Sequence, residues 1–174
     1  MSKSKLTKFS FIDKVNLYLP TILLFISVLN EFDFNYLELK YFSFNFSFIL
    51  IFFFTLKNVK YFDYFLIFVA GVINDVVIGL PLGVSSLSYI LICVSSSYLR
   101  AVTIRPDIIK DWFFFLFIIS IINSINYLIL SLIFLINVDY IQYAINTFFT
   151  FIFYFPFTYF FNVYINFSSR NSNV

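Results

Sequence analysis

Every glycine of this 174-residue chain falls in one stretch, AGVINDVVIGLPLGVSS from 70 to 86, together with one of the four prolines and an aspartate set in an apolar run. That aspartate, Asp75, is the one acid well inside an apolar segment. A charge at the centre of a bilayer is unfavourable by at least ~2.5–3.5 kcal/mol on insertion scales, so Asp75 should face protein and have a partner. Three roles are open to it: a hydrogen-bonded structural anchor, a proton or substrate site, or a contact with another protein. The first is favoured, because proton relays run through chains of titratable groups and no second one lies nearby. The chain has no histidine and a single cysteine, Cys93. Zinc clusters, histidine-activated nucleophiles and an internal disulfide are thereby excluded. One isolated aspartate supplies neither convergent acids nor a nucleophile–base pair, so no enzyme, metal or cofactor is expected.

Gly71, Asp75 and Gly79 recur every four residues and form one helical stripe, two bare backbone patches flanking a carboxylate. In lipid, helices gain little from burying apolar surface against each other, and small residues that permit close contact mark the packing face. The following segment offers Ser85, Ser88 and Ser95 on roughly one side, with Ser86, Ser96 and Ser97 adjoining, so the two segments are expected to pack as a close hairpin. Asp75 lies four residues before Gly79, about 6 Å below the helix end at 1.5 Å per residue. Pro81 suits the first position of a new helix. If Gly83 to Ser86 form its opening turn, their unpaired amides present a partial positive charge to the carboxylate, with Ser85, Ser86 or Asn123 as further donors.

The elements that must position these residues are apolar throughout. Hydrophobic residues make up 61% of the chain and charged residues 11%, which excludes an ordinary soluble domain and implies an integral membrane protein. The expected fold class is all-α, a polytopic helical bundle of about six transmembrane helices. They run from Val15 to Asn30, Tyr41 to Leu56, Tyr61 to Ile78, Pro81 to Leu99, Trp112 to Ile136 and Tyr140 to Tyr164; the first two are the shortest against the ~20 residues that a crossing needs. Residues 1–14 form a basic amphipathic segment, 15–165 the transmembrane domain and 166–174 a polar tail. Lysines followed by an apolar run imitate a signal peptide, but no small-x-small cleavage site follows before Glu31, so the run is taken as an uncleaved first helix. With a cytoplasmic amino terminus, six spans put Lys3, Lys5, Lys8, Lys14, Lys57, Lys60, Arg100, Arg105, Lys110 and Arg170 inside and only Lys40 outside. That asymmetry follows the positive-inside rule and sets both termini in the cytoplasm, with the turn at Gly79 to Leu82 facing outward.

Other side chains carry weaker signals. Asn123 and Asn126 in the fifth segment and Gln142, Asn146, Thr147 and Thr150 in the sixth could line a polar pocket, though interhelical hydrogen bonds of about 0.6–2 kcal/mol each are the simpler reading. Pro156 lacks the amide that would bond to Ile152 and should kink the last helix. Arg100, Arg105 and Lys110 could meet a cytoplasmic partner or anionic headgroups, or act only as topology determinants. The lysines at 3, 5, 8 and 14, interleaved with Phe9, Phe11 and Ile12, fit a segment lying on the inner leaflet. The 29 phenylalanines follow the chain's bias toward residues of AT-rich codons and need no aromatic cofactor box.

The stretch FLIFVAGVINDVVIGLPLGVSSLSYIL resembles the signature of the rod shape-determining protein MreD family, a Gly-x-x-x-Asp helix followed by a Gly-x-Pro-Leu-Gly turn and another helix. RPDIIKDW, from Arg105 to Trp112, is similar to the loop entering the family's fifth helix, and FYFPFTYFF resembles its proline-containing last helix. The resemblance covers most of residues 40–165, and the central motif is its specific part. It implies a bacterial inner-membrane scaffold of the cell-elongation machinery, working with MreC, the actin-like MreB filament, RodA and a class B penicillin-binding protein in peptidoglycan synthesis, with no enzymatic activity of its own. Membrane lipids, and no nucleic acid, complete the expected partners. The family's fold is similar to the substrate-binding S components of energy-coupling-factor transporters, which supply the alternative function. An S component would show a polar cavity on the outer side and small residues on its docking face, and the first segment, VNLYLPTILLFISVLN, has neither alanine nor glycine.

Overall fold

The computed structural model describes residues 11–29, 43–59, 62–103, 107–136 and 139–171. Among these the chain is all-helical, with α1 (Phe11–Leu29), α2 (Phe46–Leu56), α3 (Tyr64–Ile78), α4 (Val84–Val102), α5 (Ile108–Leu128) and α6 (Tyr140–Asn171). A π-helical turn, Ile129–Ile133, prolongs α5. Helix α4 packs on α2, α3 and α5; α1 closes against α2 and α3, and α6 against α2 and α5. Two helical stretches, Ile108–Ile133 and Tyr140–Ile165, are long and apolar enough to cross a membrane, while α1, α2 and α3 contribute shorter apolar segments.

The core is built around α2. Its sequence, FSFILIFFFTL, is apolar on every side, and each residue from Ser47 to Thr55 is buried, the signature of a helix enclosed all round by protein. The phenylalanines act here as packing rings. Phe52 meets Phe115 and Tyr154 with centroids 5.0 and 5.6 Å apart, while Phe53 and Phe54 meet Phe161 at 5.3 and 5.2 Å. Such ring pairs add about 0.5–1.5 kcal/mol beyond the area they bury. Helices α5 and α6 are also joined by Trp112, which stacks on Phe151 at 4.4 Å and donates its Nε1 hydrogen to the Phe151 carbonyl at 2.8 Å.

A helix of 11 residues is only about 16 Å long, and the unpaired backbone groups at both of its ends need partners. At the amino end Asn45 accepts from the Phe48 amide and donates its own amide to Thr150 Oγ1. At the carboxyl end Asn58 adopts a left-handed φ of 52°, and the amides of Asn58 and Val59 fold back onto the carbonyls of Thr55 and Phe54. Arg100, reaching across from α4, donates to the Thr55 carbonyl at 2.9 Å and to Asn58 Oδ1 at 2.8 Å. Its positive charge thus sits at the negative end of the α2 dipole. Laterally, Ser96 donates to the Phe52 carbonyl and Ser27 pairs with Ser47.

Several element boundaries differ from the sequence expectation. Helix α4 starts at Val84 instead of Pro81, because the Pro81 carbonyl accepts the Val84 amide in a turn and Gly83, at φ 105°, serves as the helix cap. Helix α5 starts at Ile108, four residues before Trp112, since Asp107 caps it by accepting from the Ile109 amide. Residues 43–45 are not helical, so α2 begins at Phe46. Helix α6 runs without interruption through Pro156 and on to Asn171, past the expected polar boundary at 165. Lys3, Lys5, Lys8, Lys40, Lys60 and Arg105 lie outside the described residues.

The carboxyl end of α2 generates a direct prediction. Replacing Arg100 by Ala removes two charge-assisted hydrogen bonds from a helix end and should destabilise the protein by about 1–2 kcal/mol. The control Lys110→Ala, whose side chain is 76% exposed and 4.0 Å from Asp107, should stay within about 0.5 kcal/mol of the parent in thermal unfolding in detergent.

Candidate functional site

Asp75 occupies the last turn of α3 and is completely buried. Its Oδ2 accepts the Gly83 amide at 2.7 Å and its Oδ1 the Ser85 amide at 2.8 Å. Both donors belong to the start of α4, where Gly83 has no side chain with which to cap the helix. The carboxylate of one helix therefore caps the next. Two hydrogen bonds and the positive end of the α4 dipole meet the carboxylate, and among the described residues no cationic side chain bonds to it. The backbone of Asp75 closes the other helix, its carbonyl accepting the amides of Gly79 and Leu80. One residue thus terminates α3 and initiates α4.

The three glycines do different jobs. A Cβ on Gly71 would stand 2.4 Å from Ser86 Cα and 2.7 Å from Ser86 N, so α3 and α4 touch backbone to backbone there. Gly79 and Gly83 have open space around the missing Cβ but left-handed φ values of 74° and 105°, which L-residues adopt only at a cost. Gly79 is consequently a helix-ending residue and not a second packing patch, a correction to the expected stripe. The serines of α4 also divide among neighbours instead of forming one side. Ser86 donates to the Phe68 carbonyl on α3, Ser88 to Asn126 Oδ1 on α5 at 2.8 Å, Ser96 to α2, and Ser97 pairs with Tyr64 at 3.0 Å. Asn123 does not donate to Asp75. It reaches Thr147 Oγ1 on α6 at 2.6 Å, because α5 faces α6 at that level.

Beside the hairpin lies a cavity of about 360 Å³. Asn74 and Ser85 line it from the hairpin, Asn123 and Asn126 from α5, and Gln142 and Asn146 from α6. The sequence named the last four as able to line a polar pocket while favouring interhelical hydrogen bonds, and Asn74, which donates to Ser85 Oγ at 2.9 Å, was missed; its place next to Asp75 in the same stretch was the available signal. It also missed Asn45, although an Asn just ahead of an apolar run is a helix-start signal. Asp111 is a second buried acid, in the first turn of α5. Of the basic residues singled out, Arg100 is engaged at the end of α2, Lys110 is solvent-facing, and Arg105 lies outside the described residues. Among the described residues no three Cys, Asp or Glu side chains converge for a metal ion. No protein-family model, curated protein or solved structure matches the chain significantly.

The hairpin geometry yields two predictions. Gly71→Ala forces backbone against backbone, which no rotamer change relieves, and should destabilise by about 1–3 kcal/mol. Asp75→Ala strands a buried amide and a partly buried one and should destabilise by about 2–5 kcal/mol, whereas Asp75→Asn, which still offers one oxygen, should fall near half of that. Equilibrium unfolding of the three variants in mixed micelles measures the order.

Proposed function

We propose that the chain is a multi-pass scaffold subunit of the rod shape-determining MreD type in a bacterial inner membrane, with both termini cytoplasmic and six crossings. In this reading it organises partner proteins of cell elongation and peptidoglycan synthesis, namely MreC, MreB, RodA and a class B penicillin-binding protein, through its helix surfaces and without catalysis. The observation that carries it is the Asp75 hairpin. Gly71, Asp75, Gly79, Pro81 and Gly83 carry the sequence resemblance, and Asp75 with the glycines also shapes the contact and turn between α3 and α4. Membrane embedding is supported by the outer surfaces of α5 and α6. Phe113, Phe117 and Ile121 on the one, and Phe148, Ile152, Phe155 and Phe160 on the other, are exposed, a contiguous apolar exterior of the kind that lipid or protein must cover. The short α2 and α3 fit a crossing because α2 is enclosed by protein and its end groups are satisfied internally.

A second reading, a substrate-binding S component, draws on the cavity beside the hairpin, which under the positive-inside assignment opens on the outer side. Against it, the described side chains of α1, Tyr18 to Leu29, include no alanine or glycine for a docking face. Extraction of the native membrane in mild detergent followed by affinity capture separates the two. Recovery of MreC with the wall synthases is the expected result, and Gly71→Ala should reduce it several-fold at equal expression. Recovery of an ATPase-driven transport module with a small molecule would overturn the scaffold reading.

A further inference from the structure

We propose that the cavity between the α3–α4 hairpin and the facing ends of α5 and α6 is a binding site for a neutral carbohydrate. The cavity, about 360 Å³, falls in the range of roughly 300–1,000 Å³ typical of small-molecule sites. It exists because α2 is too short to fill the bundle, so the space beyond its amino end at Asn45 is walled by polar groups from neighbouring helices.

Among the described residues the wall has no lysine, arginine, aspartate or glutamate. Asp75, next in sequence to the wall residue Asn74, is fully buried with each oxygen already accepting an amide hydrogen. A charged ligand would find no counter-charge among these residues and would lose its hydration uncompensated. The internal bonds of the wall leave both donors and acceptors facing the space. Asn126 accepts from Ser88 and keeps its amide hydrogens; Asn123 and Asn74 donate to Thr147 and Ser85 and keep their carbonyl oxygens. Gln142 makes no hydrogen bond among the described residues and can turn either end inward. A ligand satisfying donors and acceptors in alternation carries hydroxyls, each of which does both, and the sugar ring is the compact neutral scaffold bearing several. Tyr143, also in the wall, offers an aromatic face for the ring's C–H surface.

A groove of about 280 Å³ between α5 and α6 shares Asn123 and Tyr143 with the cavity and is lined further along by Leu116, Ala144 and Phe148. The sugar can therefore arrive free in solution or as the head of a membrane amphiphile whose chain lies in that groove. The inference holds whichever assembly the chain joins.

The test uses the full chain in phosphatidylcholine nanodiscs, with empty discs as blank, titrated calorimetrically with N-acetylglucosamine, with octyl β-glucoside below its micelle concentration, and with the charged sugars glucosamine and glucuronate. The expected result is saturable binding of the neutral compounds, about tenfold weaker for both charged ones. Gln142→Leu should weaken binding about fivefold at an unchanged melting temperature, since that side chain is exposed and makes no hydrogen bond among the described residues. Tighter binding of the octyl glycoside identifies a membrane-borne head, and equal binding a free sugar. The proposal is overturned by no saturable binding of either neutral compound, by a preference for the charged sugars, or by binding that Gln142→Leu leaves unchanged.

Discussion

The structure depends on a single electrostatic arrangement, a buried carboxylate given to the amides of the next helix. The first turn of any helix exposes amides without partners, and in a medium without water each is a liability. Gly83 accepts the left-handed φ that the tight return requires, but a residue without a side chain cannot also cap. Asp75 supplies the missing acceptor from across the hairpin. The same exchange solves the aspartate's problem, because an ionised group in an apolar bundle is tolerable only when its charge is met by oriented donors. Close approach is the condition for both, and Gly71 against Ser86 provides it.

A second constraint follows from the brevity of α2. An enclosed helix much shorter than its neighbours leaves space at each end, and the structure deals with the two spaces differently. At the carboxyl end the space is narrowed by Arg100, which reaches over the last carbonyls of α2. At the amino end serines and amides of residues 43–45 and of α3, α4, α5 and α6 surround it, held in place by bonds such as Asn146 to Ser43 and Asn45 to Thr150. A cavity whose wall amides Asn74, Asn123, Asn126 and Asn146 are already fixed by hydrogen bonds is preorganised for a ligand in a way that a loose cleft is not.

The all-helical class and the hairpin were legible in the sequence because both rest on local rules. Four-residue spacing sets which side chains share a face, and cap chemistry sets which amides seek an acceptor, so the pairing of Asp75 with the Gly83 to Ser86 turn could be reasoned out. The starting point of α4 could not, since a proline suits both a first helical position and a preceding turn, and only the φ of Gly83 decides between them. Nothing in FSFILIFFFTL distinguishes a helix enclosed by protein from one facing lipid, because both are apolar all round. The partners of Asn123 and Arg100 escaped for another reason. Thr147 and Thr55 lie 24 and 45 positions away, and such pairings are fixed by packing, not by spacing along a helix.

Hydrogen exchange at individual amides of the α3–α4 turn bears on the central arrangement most directly. First-turn amides ordinarily exchange quickly, and Leu82 in the same turn, 70% exposed, is an internal reference. If the carboxylate holds the start of α4, the amides of Gly83 and Ser85 exchange at least about a hundredfold more slowly than that of Leu82. Rates for Gly83 and Ser85 close to that of Leu82 would contradict the account.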